Sequence, residues 1–157
     1  MMMNDDRDAA APFPDLQLAE RHFPIDLRFP SDLRYIEQIV GVVARNCAEL
    51  AFPSRVVNLQ VPVALSEALS NAILYGNRHD SSKRVRLRAR VDDRALVLEV
   101  ADEGTGFDLD ACTSDPTSEE NIDREDGRGL FLMRRFMDRV ERFNDGGNVV
   151  RLTLLRS

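Results

Sequence analysis

Four residues apart in the stretch SEALSNAILYGN stand a carboxylate and a carboxamide, Glu67 and Asn71. At about 3.6 residues per helical turn, positions four apart lie one above the other, so both side chains point the same way and can share one bound object. Two more polar clusters follow. ADEGTGFD places Asp102, Gly104, Thr105 and Gly106 at the end of an apolar run, and GRGL places Gly127, Arg128, Gly129 and Leu130 at the head of an apolar stripe. Each has a plainer reading when taken alone. A helical Glu/Asn pair ordinarily faces water, Asp and Gly supply the backbone angles of turns, and GRG before a helix is ordinary punctuation.

The elements that would position these clusters can be read from periodicity. A helix from about Pro62 to Gly76 buries Leu65, Leu69 and Ala72 and leaves Glu67 and Asn71 off that stripe. Before it, HFPIDLRFP alternates between prolines as a short edge strand. Ser31 offers an N-cap to an amphipathic helix over residues 32 to 50, with Leu33, Ile36, Val40, Val43, Cys47 and Leu50 on one stripe. RVRLRARV alternates strictly, setting Val85, Leu87, Ala89 and Val91 against Arg84, Arg86, Arg88 and Arg90, the latter read as a solvated face. Asp92, Asp93 and Arg94 connect it to ALVLEVAD as an antiparallel hairpin ending at Asp102. Residues 107 to 126 form a long acidic loop with little apolar periodicity. A helix over GRGLFLMRRFMDRV follows, carrying Leu130, Met133 and Met137, with Phe131, Leu132 and Phe136 widening the stripe. VERFN, a turn at Asp145 to Gly147, and NVVRLTLL close the chain as a hairpin.

The length, 157 residues, suits one domain able to bury its own core. With 21 Lys and Arg against 27 Asp and Glu the net charge is −6, which disfavours a general nucleic-acid binder. Two cysteines, Cys47 and Cys112, make neither a disulfide framework nor a metal-ligand spacing. The acidic, Ala/Pro-rich opening segment reads as a disordered tail over residues 1 to 21, neither signal peptide nor membrane anchor, and the expected setting is the cytoplasm.

Taken in order and spacing, the three clusters resemble the N box and the two glycine boxes of the GHKL superfamily of gyrase, chaperone, histidine kinase and mismatch-repair ATPases. Within it, SEALSNAILYGN, ADEGTGFD, DPTSEENI and GRGLFLMRRFMD look most like the stand-alone anti-sigma-factor serine/threonine kinases of bacterial partner switching, over residues 22 to 155. The resemblance implies an α/β two-layer sandwich, a mixed and mostly antiparallel sheet with helices on one face, occupying residues 22 to 157. It implies ATP and Mg²⁺ as cofactors, Asn71 as metal ligand and Glu67 as general base. The residues supply reasons. A carboxylate at a strand end, Asp102, can accept the adenine amino group, and Gly104 and Gly106, with Thr105 between them, let backbone approach the ring. Gly127 and Gly129 open a helix whose amides suit phosphate, Arg128 adds a charge, and Leu130 continues the box. Tyr75, Asn77 and Arg78 extend the Glu67 edge along the pocket, Arg78 reading equally as a solvated charge, and residues 107 to 126 become a nucleotide lid. The partners implied are an anti-anti-sigma antagonist and a sigma factor, with a homodimer as the assembly. Two rivals stand beside this reading: a nucleotide-gated regulator without phosphotransfer, and the catalytic fragment of a histidine kinase. His22 and His79 lie on no helix that could present a phosphoacceptor.

Overall fold

The computed structural model describes residues 16–104 and 125–156. Five strands form one sheet in the order β1-β2-β3-β5-β4: β1 is Ile25–Pro30, β2 Arg84–Val91, β3 Ala95–Ala101, β4 Arg139–Asn144 and β5 Asn148–Leu155. Every described pairing is antiparallel, so the mixed sheet expected above is antiparallel throughout these residues. Three helices, α1 (Ile36–Glu49), α2 (Val61–Asn71) and α3 (Glu125–Phe136), complete a two-layer α/β sandwich. Period-two patterning decides which face they cover. Leu27, Phe29, Val85, Leu87, Leu98 and Leu152 are all nearly inaccessible and meet Val43, Leu65, Leu69 and Ile73 from the helices in one core.

The opposite face of the sheet carries the arginines, and carboxylates meet them. Arg86 makes paired hydrogen bonds of 2.8 and 2.7 Å to Asp26 across the β1–β2 register, and Arg151 reaches Glu99 at 2.7 Å. The Arg86–Asp26 pair is exposed and the Arg151–Glu99 pair only part-buried, so the first orients the face more than it stabilises it.

α2 is longer than its regular core because wider turns flank it. Val56–Gln60 and Ala72–Gly76 are π-helical, and the Asn77 N–H reaches back five residues to the Ala72 carbonyl at 2.8 Å. Such insertions recur at functional sites because they re-aim the side chains beside them. Here the second one follows Asn71 directly.

Four sequence expectations need correction. Residues 16 to 21 are no tail: Leu16 and Leu18 pack on the core, and the Arg45 guanidinium donates to the Ala19 and Arg21 carbonyls. Residues 1 to 15 lie outside the described residues. Asp32, not Ser31, caps the turn before α1, accepting the Arg34 N–H at 2.9 Å, because the Ser31 hydroxyl is taken by Asn77. Leu33–Tyr35 is a 3₁₀ turn and α1 proper begins at Ile36. Phe131, expected to widen the buried stripe of α3, is 66% exposed while Leu130, Met133 and Met137 are buried.

Candidate functional site

Glu67 and Asn71 lie half-buried on the edge of α2 that faces α3. The buried stripe of α2 runs through Ala64, Leu65, Ala68, Leu69 and Ala72, which packs one side of the helix and turns the polar pair toward its neighbour. Opposite them stands Gly129. A Cβ there would lie 2.8 Å from Glu67 Oε1 and 3.2 Å from Asn71 Nδ2, so the bare backbone is what lets the two helices close over these side chains. The first and third sequence clusters, 62 residues apart from Glu67 to Gly129, therefore meet in space. The helix starts at Glu125, two residues earlier than expected, so Gly129 serves in its second turn as a close-approach position. Gly127 and Arg128 fall in the turn before it.

Asp102 is the first residue past β3. Its N–H bonds the Asn148 carbonyl at 3.0 Å, extending the β3–β5 ladder by one rung, and its Oδ1 accepts the Gly104 N–H at 2.8 Å and the Asn148 side-chain amide at 3.1 Å. Three glycines press on it. A Cβ at Gly76 would sit 2.0 Å from Asp102 Oδ2, one at Gly147 2.2 Å from the Asp102 carbonyl, and one at Gly104 2.1 Å from the Gly76 carbonyl. Burial pushes the Asp102 carboxyl above the ordinary carboxylate range, while the Gly104 and Asn148 donors pull the other way.

An open cleft joins the clusters. Its polar lining includes Asn71, Tyr75, Asp102 and Asn148, and its apolar walls come from Ala68, Ala72, Val100, Leu130 and Met133. Apolar walls with a few convergent polar groups are the ordinary makeup of a small-molecule site. Of the expected site residues, Asn71, Tyr75, Asp102 and Leu130 line it, Gly129 closes over Glu67, and Gly104 sits against Gly76. Asn77 does not line it. Wholly buried, it donates to Ser31 Oγ at 2.6 Å and the Arg84 carbonyl at 2.9 Å and accepts the Glu103 N–H at 2.8 Å, so its polar atoms tie three segments together. Arg78 is exposed, with φ of 55°. Thr105, Gly106 and the lid over 107 to 126, save the two residues that open α3, lie outside the described residues.

Sequence reasoning missed Asn148, Arg142, Gly76 and Gly147 as site residues. Gly76 and Gly147 read as a helix end and a turn, and Asn148 as the start of a strand. Only the pairing of β3 with β5, which sets Ala101 against Val149, brings Asn148 beside Asp102.

Residues 29–154 match the family described as the histidine kinase-like ATPase domain. The chain belongs to that family. The histidine kinase-like ATPase domain is an ATP-binding one, and the match runs from Phe29 near the end of β1 to Leu154, one residue short of the end of β5, taking in β2, β3, β4 and all three helices. Among similar proteins is the serine-protein kinase RsbW of Bacillus subtilis, 29% identical over 134 residues, or 82% of this chain and 83% of that protein. RsbW of Staphylococcus epidermidis is 30% identical over 133 residues, 78% of this chain and 80% of that protein. The anti-sigma F factor of Clostridium acetobutylicum is 32% identical over 96 residues, 60% of this chain and 66% of that protein. Among the described residues no helix is long and apolar enough to cross a membrane.

Proposed function

We propose that this protein is a serine/threonine protein kinase and anti-sigma factor of the partner-switching type, which phosphorylates an anti-anti-sigma antagonist with ATP and holds a sigma factor. The observation that carries the kinase reading is the meeting of Glu67, Asn71 and Gly129 at one end of the cleft whose lining includes Asp102. The names of the similar proteins, serine-protein kinase and anti-sigma F factor, support both activities. The assembly is a homodimer acting in the cytoplasm.

Adenine would be held in the cleft lined by Ala68, Ala72 and Met133, its amino group donating a hydrogen bond to the Asp102 carboxylate. The free amides in the first turn of α3 would suit its triphosphate. Asn71 offers a hard amide oxygen beside Glu67. Among the described residues no cluster of three or more His, Cys, Asp or Glu could hold a metal, so a cation here takes most of its oxygens from the nucleotide. Asn71 fits Mg²⁺ on those terms, and the ion would neutralise charge on the transferring phosphoryl group. Glu67 accepts the proton of the attacking Ser or Thr hydroxyl as its oxygen bonds to the γ-phosphorus and ADP leaves.

Two substitutions, assayed together for ATP affinity by calorimetry and for antagonist phosphorylation, test the reading. Glu67→Gln keeps ATP affinity near wild type and lowers transfer by roughly a hundredfold to ten-thousandfold, the range of a general base. Asn71→Ala weakens both. Wild-type protein that binds ATP and captures a sigma factor, yet phosphorylates no candidate antagonist from the same genome, refutes the kinase half.

A further inference from the structure

Asn148 is 6% exposed, and its side-chain oxygen is shut from solvent with no hydrogen-bond partner among the described residues. The other half of this buried carboxamide does have a partner. That half is the amide, 3.1 Å from Asp102 Oδ1. Its orientation is fixed by chemistry. Asp102 Oδ1 already accepts the Gly104 N–H, so the group facing it must be a donor, and turning the carboxamide over would oppose two oxygens.

We infer that Asn148 is a positioning residue which holds the Asp102 carboxylate in its charged, hydrogen-accepting state and so sets the pH range over which the cleft accepts a purine bearing an amino group. This deepens the nucleotide reading of Asp102 and rests on it. A carboxylate taken from water loses its solvent donors, and only the ionised form is an acceptor at both oxygens. Asn148 and Gly104 replace those donors at Oδ1 and leave Oδ2, beside Gly76, as the seat for a proton. A proton there removes the acceptor the adenine amino group needs, and Asn148, bonded to the other oxygen, opposes its arrival.

The remaining charges about Asp102 act from farther away. Lys83, ahead of β2, favours the ionised form through space, and Arg142 of β4 lines the cleft. Arg28, Arg84 and Arg86 share the groove on the other side of Asp102 with Glu103 and Asp145, a mixed set in which Glu103 is held by the Arg84 N–H. Asn148 is distinguished from all of these by direct contact.

ATP affinity measured from pH 5 to 9 on the full chain decides the matter, with Asn148→Leu as the matched apolar variant and Asn148→Asp as one that turns donor into charge. The pH at which ATP binding is lost moves upward in Asn148→Leu and farther in Asn148→Asp, and affinity at neutral pH falls roughly fivefold to a hundredfold. Purine riboside triphosphate, which lacks the amino group, serves as control: its binding is unmoved by Asn148→Leu. In an Asp102→Asn background the Asn148 variants have no pH effect. If Asn148→Leu does not fold, Asn148→Asp carries the test. Superimposable wild-type and variant pH profiles, or equal losses for ATP and the amino-free analogue, overturn the inference while leaving the site standing. Asp102→Asn protein that binds ATP as wild type does would instead overturn the role of Asp102 itself.

Discussion

Replacing Gly129 by alanine should keep or raise stability and slow catalysis in one step. Gly129 lies inside α3, where glycine is less favourable than alanine by about 0.8–1 kcal/mol, so the helix itself gains from the change. The new methyl, however, would stand 2.8 Å from Glu67 Oε1 and 3.2 Å from Asn71 Nδ2. Ordinary contact begins at 3.4 Å, so the Glu67 carboxylate must retreat by about 0.6 Å and the Asn71 amide by about 0.2 Å. Both groups sit at the ends of flexible side chains, so the fold yields cheaply and keeps most of the helical gain. The reaction geometry does not yield cheaply. A displacement approaching 1 Å at a catalytic group costs on the order of a hundredfold in rate. Urea denaturation of the nucleotide-free protein should therefore show Gly129→Ala unchanged or more stable by up to about 1 kcal/mol, with an unchanged slope. Single-turnover phosphorylation of the antagonist should fall by about tenfold to a hundredfold. A variant that is destabilised by more than about 1 kcal/mol, or one that transfers phosphate at the wild-type rate, would refute the placement of Gly129 over Glu67 and Asn71.

Asp102→Asn should weaken ATP binding by about 1–3 kcal/mol and erase the preference for ATP over GTP, because guanine presents a carbonyl where adenine presents an amino donor; calorimetry with both nucleotides checks this. In the nucleotide-free protein the raised Asp102 pKa favours the neutral carboxyl in the folded state. The stability it contributes is fully present below the ordinary carboxylate value of 3.8 and is lost as pH rises through the folded value. The stability difference between wild type and Asp102→Asn should therefore fall as pH climbs above 4 and level off beyond the folded pKa, and denaturation at several pH values would expose a slope of the wrong sign. Asn77→Ala should cost about 2–4 kcal/mol, since one buried and two part-buried hydrogen bonds lose a partner, with the urea midpoint dropping at constant slope. A loss under about 0.5 kcal/mol would return Asn77 to the surface of the site. Gly104→Ala places a methyl against the Gly76 carbonyl, which is backbone and cannot retreat, so both stability and ATP affinity should drop; stability alone dropping would detach Gly104 from the cleft.

How much of this was legible beforehand follows from the range of the forces involved. Local patterning is written in neighbouring residues. The strict alternation of RVRLRARV, the stripe through Leu65 and Leu69, and the glycine turn at Asp145 to Gly147 therefore named their elements. Glu67 and Asn71 were recognisable as a pair because helical geometry alone aligns them. The sequence by itself also singled out Asp102, a carboxylate at the end of β3 with glycines after it. What surrounds that carboxylate was tertiary. Asp102 turns in among Gly76, Gly147 and Asn148, whereas Glu103 turns out to accept the Arg84 N–H. The same division explains Asn77, which sequence placed along the pocket edge by helical continuity. The π turn at Ala72–Gly76 and the buried groups of Ser31, Arg84 and Glu103 claimed it for the frame. Phe131 failed for the complementary reason, because an apolar side chain declares what it prefers but not which face its helix will bury. Hydrophobic spacing and turn chemistry act over a few residues and can be read in order along the chain. Close approach of backbone at Gly129, and the partner that β5 brings to Asp102, exist only once segments far apart in sequence share one small volume.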